Sequence, residues 1–362
     1  MMSTQRLHSL DFFRGVSVLF LIPLHCMMMY ASAETWNDSN LGFIMKWIER
    51  GSPSFMVAMG ISFVFSKRQS FKALLIRGIK IVGIGYLLNT FKFIIPMLLG
   101  FFPENLIVAH GLNPEHLMDN SIHFLLLGDI LQLAGVSLII MSFCVPIFKN
   151  KYVILAVALS IVLSTRTVSG IRLGIGGVDY MLDLLWGNQY NVYFPVFPWM
   201  GFILLGRFVG ELYKENKTNI PFFFQKVLLL SATTIVIGAS LCYYNYDYHF
   251  GDYYHLGPGG MLLLLGVNTS FIYFSHFISK IILNTNLFQF LVYASKNVTI
   301  IYFLQWVVID WGMGLFGFAT MNQQGVLMII PIYSFFVFAL LTVFDKVFRN
   351  KSSSLTENLA TQ

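Results

Sequence analysis

Apolar runs separated by short polar stretches recur along nearly the whole chain, near 10–31, 52–66, 73–98, 122–147, 152–165, 194–213, 223–243, 259–282, 297–317 and 325–346. A helix of about 20 apolar residues crosses a hydrocarbon core of about 30 Å, so most of these runs predict spanning helices. The pattern therefore reads as an all-α fold, a polytopic membrane helix bundle of about 10–11 transmembrane helices. The runs at 52–66 and 152–165 are the short ones, and the amphipathic pieces at 41–50 and 179–187 lie along the interface or supply the eleventh crossing. No polar stretch is large enough for a soluble domain, which gives one transmembrane domain over 1–348 and a polar cytoplasmic tail over 349–362.

The first run, LDFFRGVSVLFLIPLH, interrupts its apolar pattern with Asp11, Arg14, Pro23 and His25. Eleven helical steps bring Arg14 and His25 within about 20° of one face and about 16 Å apart. Asp11, three residues before Arg14, can pair with it at the entrance of the helix, where the macrodipole favours an acidic group. Pro23 removes a backbone hydrogen bond and kinks the helix just before His25. His25 then sits about 21 Å along the helix, past the bilayer middle, where an ionisable group is costly and usually faces a protein interior or an aqueous cavity. Ala31-Ser32-Ala33 resembles a signal-cleavage site, but the stretch before it exceeds a usual signal core and carries Asp11 and Arg14, so it is read as a retained span.

Composition agrees with the pattern: 56% of residues are hydrophobic and only 11% charged. The net charge of +6 comes from basic residues that flank apolar segments without forming an aromatic-interleaved stripe, which argues against nucleic acid. Placing the N-terminus in the cytoplasm puts 18 basic residues on that side and 5 on the other, Lys46, Arg50, Lys92, Arg166 and Arg172. Both termini are then cytoplasmic. The outer loops are acidic and aromatic, with six tyrosines in YYNYDYHFGDYYHLGPGG at 243–260, either an interfacial belt or a sugar-stacking surface. Cys26, Cys144 and Cys242 show neither disulfide nor zinc spacing, and no metal site is expected.

Histidine suits a general base because its unperturbed pKa lies near neutrality, and arginine suits a phosphate because its charge is permanent and its donors form a fork. A cytoplasmic basic cluster separated from a histidine by a pantetheine-like length is what a site using acyl-coenzyme A from inside needs. Lys67 and Arg68 close the second run while Arg77 and Lys80 open the third, and there is no Walker or dinucleotide loop. Such a cluster equally serves only to set topology. Asn89, Asp129, Gln132, Asn268, His276, Asn297 and Gln305 are further polar intrusions. Asp129 is the costliest and either orients His25 or an acceptor, or pairs with a buried cation. Gly206 and Gly210 predict a close helix approach.

The opening RLHSLDFFRGVSVLFLIPLH resembles the first-helix motif of the transmembrane acyltransferase superfamily, in particular its heparan-α-glucosaminide N-acetyltransferase branch and bacterial relatives. The eleven-residue step from arginine to histidine is also typical of acyltransferase-3 proteins. GSPSFMVAMGISFVFSKR, DILQLAG and FPVFPWMGFILLGRFVG are similar to later patterns of the family, covering much of 6–210, and KNVTIIYFLQW matches loosely. The resemblance implies an acyltransferase, with an acyl-CoA, usually acetyl-CoA, as cytoplasmic donor and an extracytoplasmic glycan or glycolipid hydroxyl or amine as acceptor, in a bacterial inner membrane. It makes His25 central to transfer, with Arg14, Lys67 and Arg68 toward the donor; the reading of the residues makes His25 a base or acyl carrier with Asp129 as its catalytic partner and adds Arg77 and Lys80 to the donor cluster. Asp11, Asn89, Asn297 and Trp199 are the candidate substrate contacts. Gln305 departs from the pattern, standing where relatives often carry histidine, and GPGG at 257–260 replaces a more usual proline-containing sequence. The competing class is a transporter whose buried Arg, Asp and His line a substrate or proton path, although no internal repeat is visible. Oligomeric state stays open.

Overall fold

The computed structural model describes residues 8–349; Arg6 and the polar tail from 350 onward lie outside the described residues. Among the described residues, eight helices are long and apolar enough to cross a membrane: α1 (His8–Tyr30), α4 (Phe71–Asn89, continuing to Leu98), α7 (Lys151–Val168), α9 (Val196–Glu215), α10 (Ile220–Tyr244), α11 (Pro258–Ile282), α13 (Val298–Phe316) and α14 (Gln323–Phe344). Shorter helices complete the bundle: α2 (Asn40–Glu49), α3 (Ser54–Phe65), α5 (Leu117–Leu126), α6 (Ile130–Phe143), α8 (Val178–Trp186) and α12 (Asn286–Lys296). No strand occurs among the described residues, and the chain is an all-α bundle of membrane type, as its pattern predicts.

Two runs differ in detail from the pattern. The stretch expected as a short crossing at 152–165 is an 18-residue helix. The run at 122–147 is not one helix but two, α5 and α6, parted at Leu127, Gly128 and Asp129. Apolar content alone does not reveal such a break, because the freed backbone groups find partners inside the protein. Asn89 Nδ2 donates to the carbonyls of Leu125 and Leu127 at 2.9 and 2.8 Å. The Tyr180 hydroxyl donates to Leu126 O, and Gly128 exchanges backbone bonds with Asn191 and Tyr193. Asp129 then starts α6 as its N-cap: its side chain accepts the Ile130 N–H at 2.8 Å, and Gln132 returns a bond to the Asp129 N–H in a capping box.

Small residues set the tightest crossings. A Cβ on Gly206 of α9 would fall 2.2 Å from the Val57 carbonyl of α3, and one on Gly60 of α3 2.0 Å from the Ile203 carbonyl. The two backbones touch, which is the close approach expected of small-residue interfaces in lipid. The apolar core has two large lobes. One gathers round α9, with Trp199, Phe202 and Ile203 at its centre. The other joins α1, α13 and α14 to the turn following α4, through Met27, Tyr30, Phe93, Trp306 and Val337.

Candidate active site

The second lobe holds the costly groups. Residues 90–94 form a π-helical turn between α4 and Ile95, and the wider turn lets Lys92 and Phe93 point inward, both buried. Lys92 Nζ lies 3.4 Å from the Trp306 ring centroid and 4.5 Å from that of Phe93, in cation–π contact. Asp310 Oδ2, one turn along α13 from Trp306, is 4.0 Å from Nζ. The imidazole of His25 stacks on the same Trp306, with ring centroids 3.9 Å apart and planes 24° apart. Tyr302 meets His25 edge-on at 6.1 Å and donates its hydroxyl to Asp129 Oδ2 at 3.0 Å. Thus α1, the turn after α4, the start of α6 and one face of α13 converge on His25.

The electrostatics of this centre are unbalanced. His25 Nδ1, both oxygens of Asp310 and both amide atoms of Gln305 are buried without a hydrogen-bond partner. Leaving such groups unpaired costs about 1–3 kcal/mol each, more when charged, so a structural role alone accounts poorly for them. Tyr30 fixes the end of α1 beyond His25: its hydroxyl bonds to the Ile309 carbonyl at 2.5 Å and to the Tyr333 hydroxyl at 2.6 Å.

Toward the loops, an aromatic wall borders the centre. Tyr193 and Tyr254 lie with ring centroids 5.0 Å apart, and Phe194 packs on Tyr254 at 5.3 Å. Burial and the nearby Asp129 and Asp310 charges push the Tyr193 hydroxyl pKa up, so it stays a neutral donor. His110 lies 3.4 Å from both the Tyr193 hydroxyl and the His123 ring. Burial, then His123 and Lys92, push the His110 pKa down to about 4.

Of the residues singled out by sequence, His25 and Asp129 meet through Tyr302. Arg14 is half-buried near the opposite end of α1, within electrostatic reach of Asp11 and Arg77. Asp11 accepts from Ser295 Oγ at 3.2 Å. Lys67 and Arg68 are exposed in the connection after α3, and Arg77 and Lys80 are exposed on α4. Asn89 holds the α5–α6 break. Asn297 is buried at the start of α13 and bonds to the Tyr293 carbonyl. Trp199 is fully buried and donates to the Tyr254 carbonyl at 2.7 Å, behind the aromatic wall. Four central residues escaped the sequence reading: Lys92, Tyr302, Trp306 and Asp310. Asp310 carried a usable signal, a lone carboxylate in the apolar run WVVIDWGMG. Lys92 looked like a charge flanking a span.

A family model described as heparan-alpha-glucosaminide N-acetyltransferase, catalytic, matches residues 6–249. No curated protein and no solved structure matches the chain. The matched region holds His25, Lys92, Asp129 and Tyr193, while Tyr302, Trp306 and Asp310 enter the centre from beyond it.

Proposed function

From the chain's membership of the heparan-alpha-glucosaminide N-acetyltransferase catalytic family, which makes it a membrane acyltransferase, we propose that it moves an acetyl group from cytoplasmic acyl-CoA to an extracytoplasmic glycan or glycolipid. The observation that carries this reading is His25: an imidazole buried within an apolar bundle, held flat against Trp306, with Nδ1 unpartnered. A neutral imidazole so placed takes the proton of an acceptor hydroxyl or amine as that group attacks the thioester carbonyl, or takes the acyl group itself and passes it on.

The donor reaches His25 along α1. Arg14, with Arg77 nearby, meets the phosphates at the end of α1 opposite His25, and the exposed Lys67, Arg68 and Lys80 draw the polyanion in. The acceptor comes from the other side, past the aromatic wall of Tyr193 and Tyr254, whose faces suit a sugar ring and whose neutral hydroxyls donate to its oxygens. The charge asymmetry supports both termini in the cytoplasm, and the likeness to bacterial members of the family is what points to a bacterial inner membrane.

Purified protein reconstituted in liposomes and given radiolabelled acetyl-CoA and amine- or hydroxyl-bearing glycans tests the reading. Wild type labels an acceptor, and His25→Ala lowers the rate by at least about a hundredfold, within the range of a lost general base. Label retained on wild-type protein when acceptor is withheld, and absent from His25→Ala, identifies the acyl-histidine route. Undiminished transfer by His25→Ala removes His25 from the chemistry, and glycan or coenzyme flux without covalent transfer makes the chain a transporter.

A further inference from the structure

The acyl-transfer reading uses His25 and leaves the buried cation beside it without a task. Lys92 is placed by the π-helical turn, a local irregularity in an otherwise regular span. Its Nζ sits on the Trp306 ring on which His25 also stacks, and lies within electrostatic reach of the imidazole. Asp310 Oδ2 at 4.0 Å is beyond hydrogen-bonding distance, so it compensates the Lys92 charge without consuming one of the three ammonium donors. A well-packed apolar pair is commonly as stable as a buried ion pair, so packing does not explain the two charges.

We propose that Lys92 is a second catalytic residue of the His25 centre, whose ammonium receives the negative charge that develops on the acyl oxygen, and that Asp310 is the positioning residue that keeps Lys92 charged and aimed. The proposal rests on the acyl-transfer reading. In the step it serves, the acceptor N–H or O–H gives its proton to His25 as its lone pair bonds the thioester carbonyl carbon. The carbonyl π pair moves onto oxygen, where Lys92 donates a hydrogen bond to it. Collapse re-forms the carbonyl and breaks the C–S bond, and the leaving thiolate takes the proton from His25, so that acyl acceptor and coenzyme A thiol are the products. A fixed cation in a water-poor site acts on this developing charge more strongly than it would in water.

The test is a kinetic comparison of the full chain in detergent, following release of the coenzyme A thiol from acetyl-CoA with methyl α-glucosaminide as amine acceptor and methyl α-glucoside as hydroxyl acceptor. Lys92→Met lowers kcat by about 100- to 1000-fold, the loss typical of an oxyanion-stabilising donor, while KM for acetyl-CoA stays within about threefold. Lys92→Arg restores at least about tenfold of that loss. Asp310→Asn lowers kcat in the wild-type background and has no further effect in Lys92→Met, because it acts through the lysine. Lys92→Met combined with Asp310→Leu removes both charges, folds as well as wild type, and stays as slow as Lys92→Met alone. Wild-type kcat in Lys92→Met, a rise confined to KM, or recovered kcat in the folded double variant overturns the proposal. If His25→Ala is inactive while Lys92→Met is not, only the proposal fails. Absence of thiol release by wild type with either acceptor overturns the acyl-transfer reading and the proposal with it.

Discussion

At the scale of single residues, the centre is built from groups that lipid disfavours and that each find only part of a partner set. Tyr302 is satisfied by Asp129, whereas His25 Nδ1 and the Asp310 oxygens are not. Near them, His110 reports on the aromatic wall through its titration. Its folded pKa of about 4 lies below the ordinary histidine value of 6.5, because burial and then His123 and Lys92 disfavour its charge. The unfolded chain therefore binds the proton first, and stability contributed by neutral His110 is lost as pH falls from about 6.5 toward 4, levelling off below. Thermal midpoints measured across that interval should fall more for wild type than for His110→Phe; equal slopes would remove this origin of acid sensitivity.

Sequence legibility at this scale followed a simple rule. His25 and Asp129 stood out because an ionisable group deep in an apolar run has no cheap explanation. Lys92 did not, since a lysine near the end of a run is the ordinary mark of an interface, and nothing local announces that a π turn swings it inward. Trp306 and Tyr302 read as packing aromatics; only the fold brings them against a histidine more than 270 residues earlier in the chain.

At the scale of elements, irregularities do the positioning. The π turn after α4 delivers Lys92, and the broken α5–α6 pair delivers Asp129 at a helix N-terminus. The run at 122–147 predicted a continuous crossing because Leu127 and Gly128 do not lower its apolar character, while the carbonyl acceptor sites depend on Asn89 in a different helix. Asn89→Ala strands the Leu125 and Leu127 carbonyls in the interior, at a cost of about 1–3 kcal/mol for each. Its thermal midpoint should drop, and with it acyl transfer, since Asp129 and Tyr302 lose their register. An unchanged midpoint would mean that water or a shifted side chain satisfies those carbonyls. The Gly206 contact, by contrast, was legible, because small residues spaced four apart in an apolar run mark close helix crossings with few alternatives.

At the scale of the whole molecule, the spans near 10–31, 194–213 and 259–282 fall close to α1, α9 and α11, since length and hydropathy suffice to define long crossings. That α1, the turn after α4, the start of α6 and α13 converge on one centre was not legible, being a matter of long-range packing. The assembled bundle has a functional polarity: Arg14 and the exposed basic residues toward one end, His25 with Lys92 and Asp129 toward the other, and an aromatic wall beyond. This arrangement fits the proposed approach of the two substrates from opposite faces.

The most direct test uses proteoliposomes selected for one orientation, with radiolabelled acetyl-CoA supplied only on the face at which α1 begins and methyl α-glucosaminide or methyl α-glucoside only on the other. The account predicts labelled acceptor on the far side, without passage of intact acetyl-CoA, and its loss in His25→Ala. Labelled product only when both substrates share one face, or transfer across the membrane that survives in His25→Ala, would contradict it.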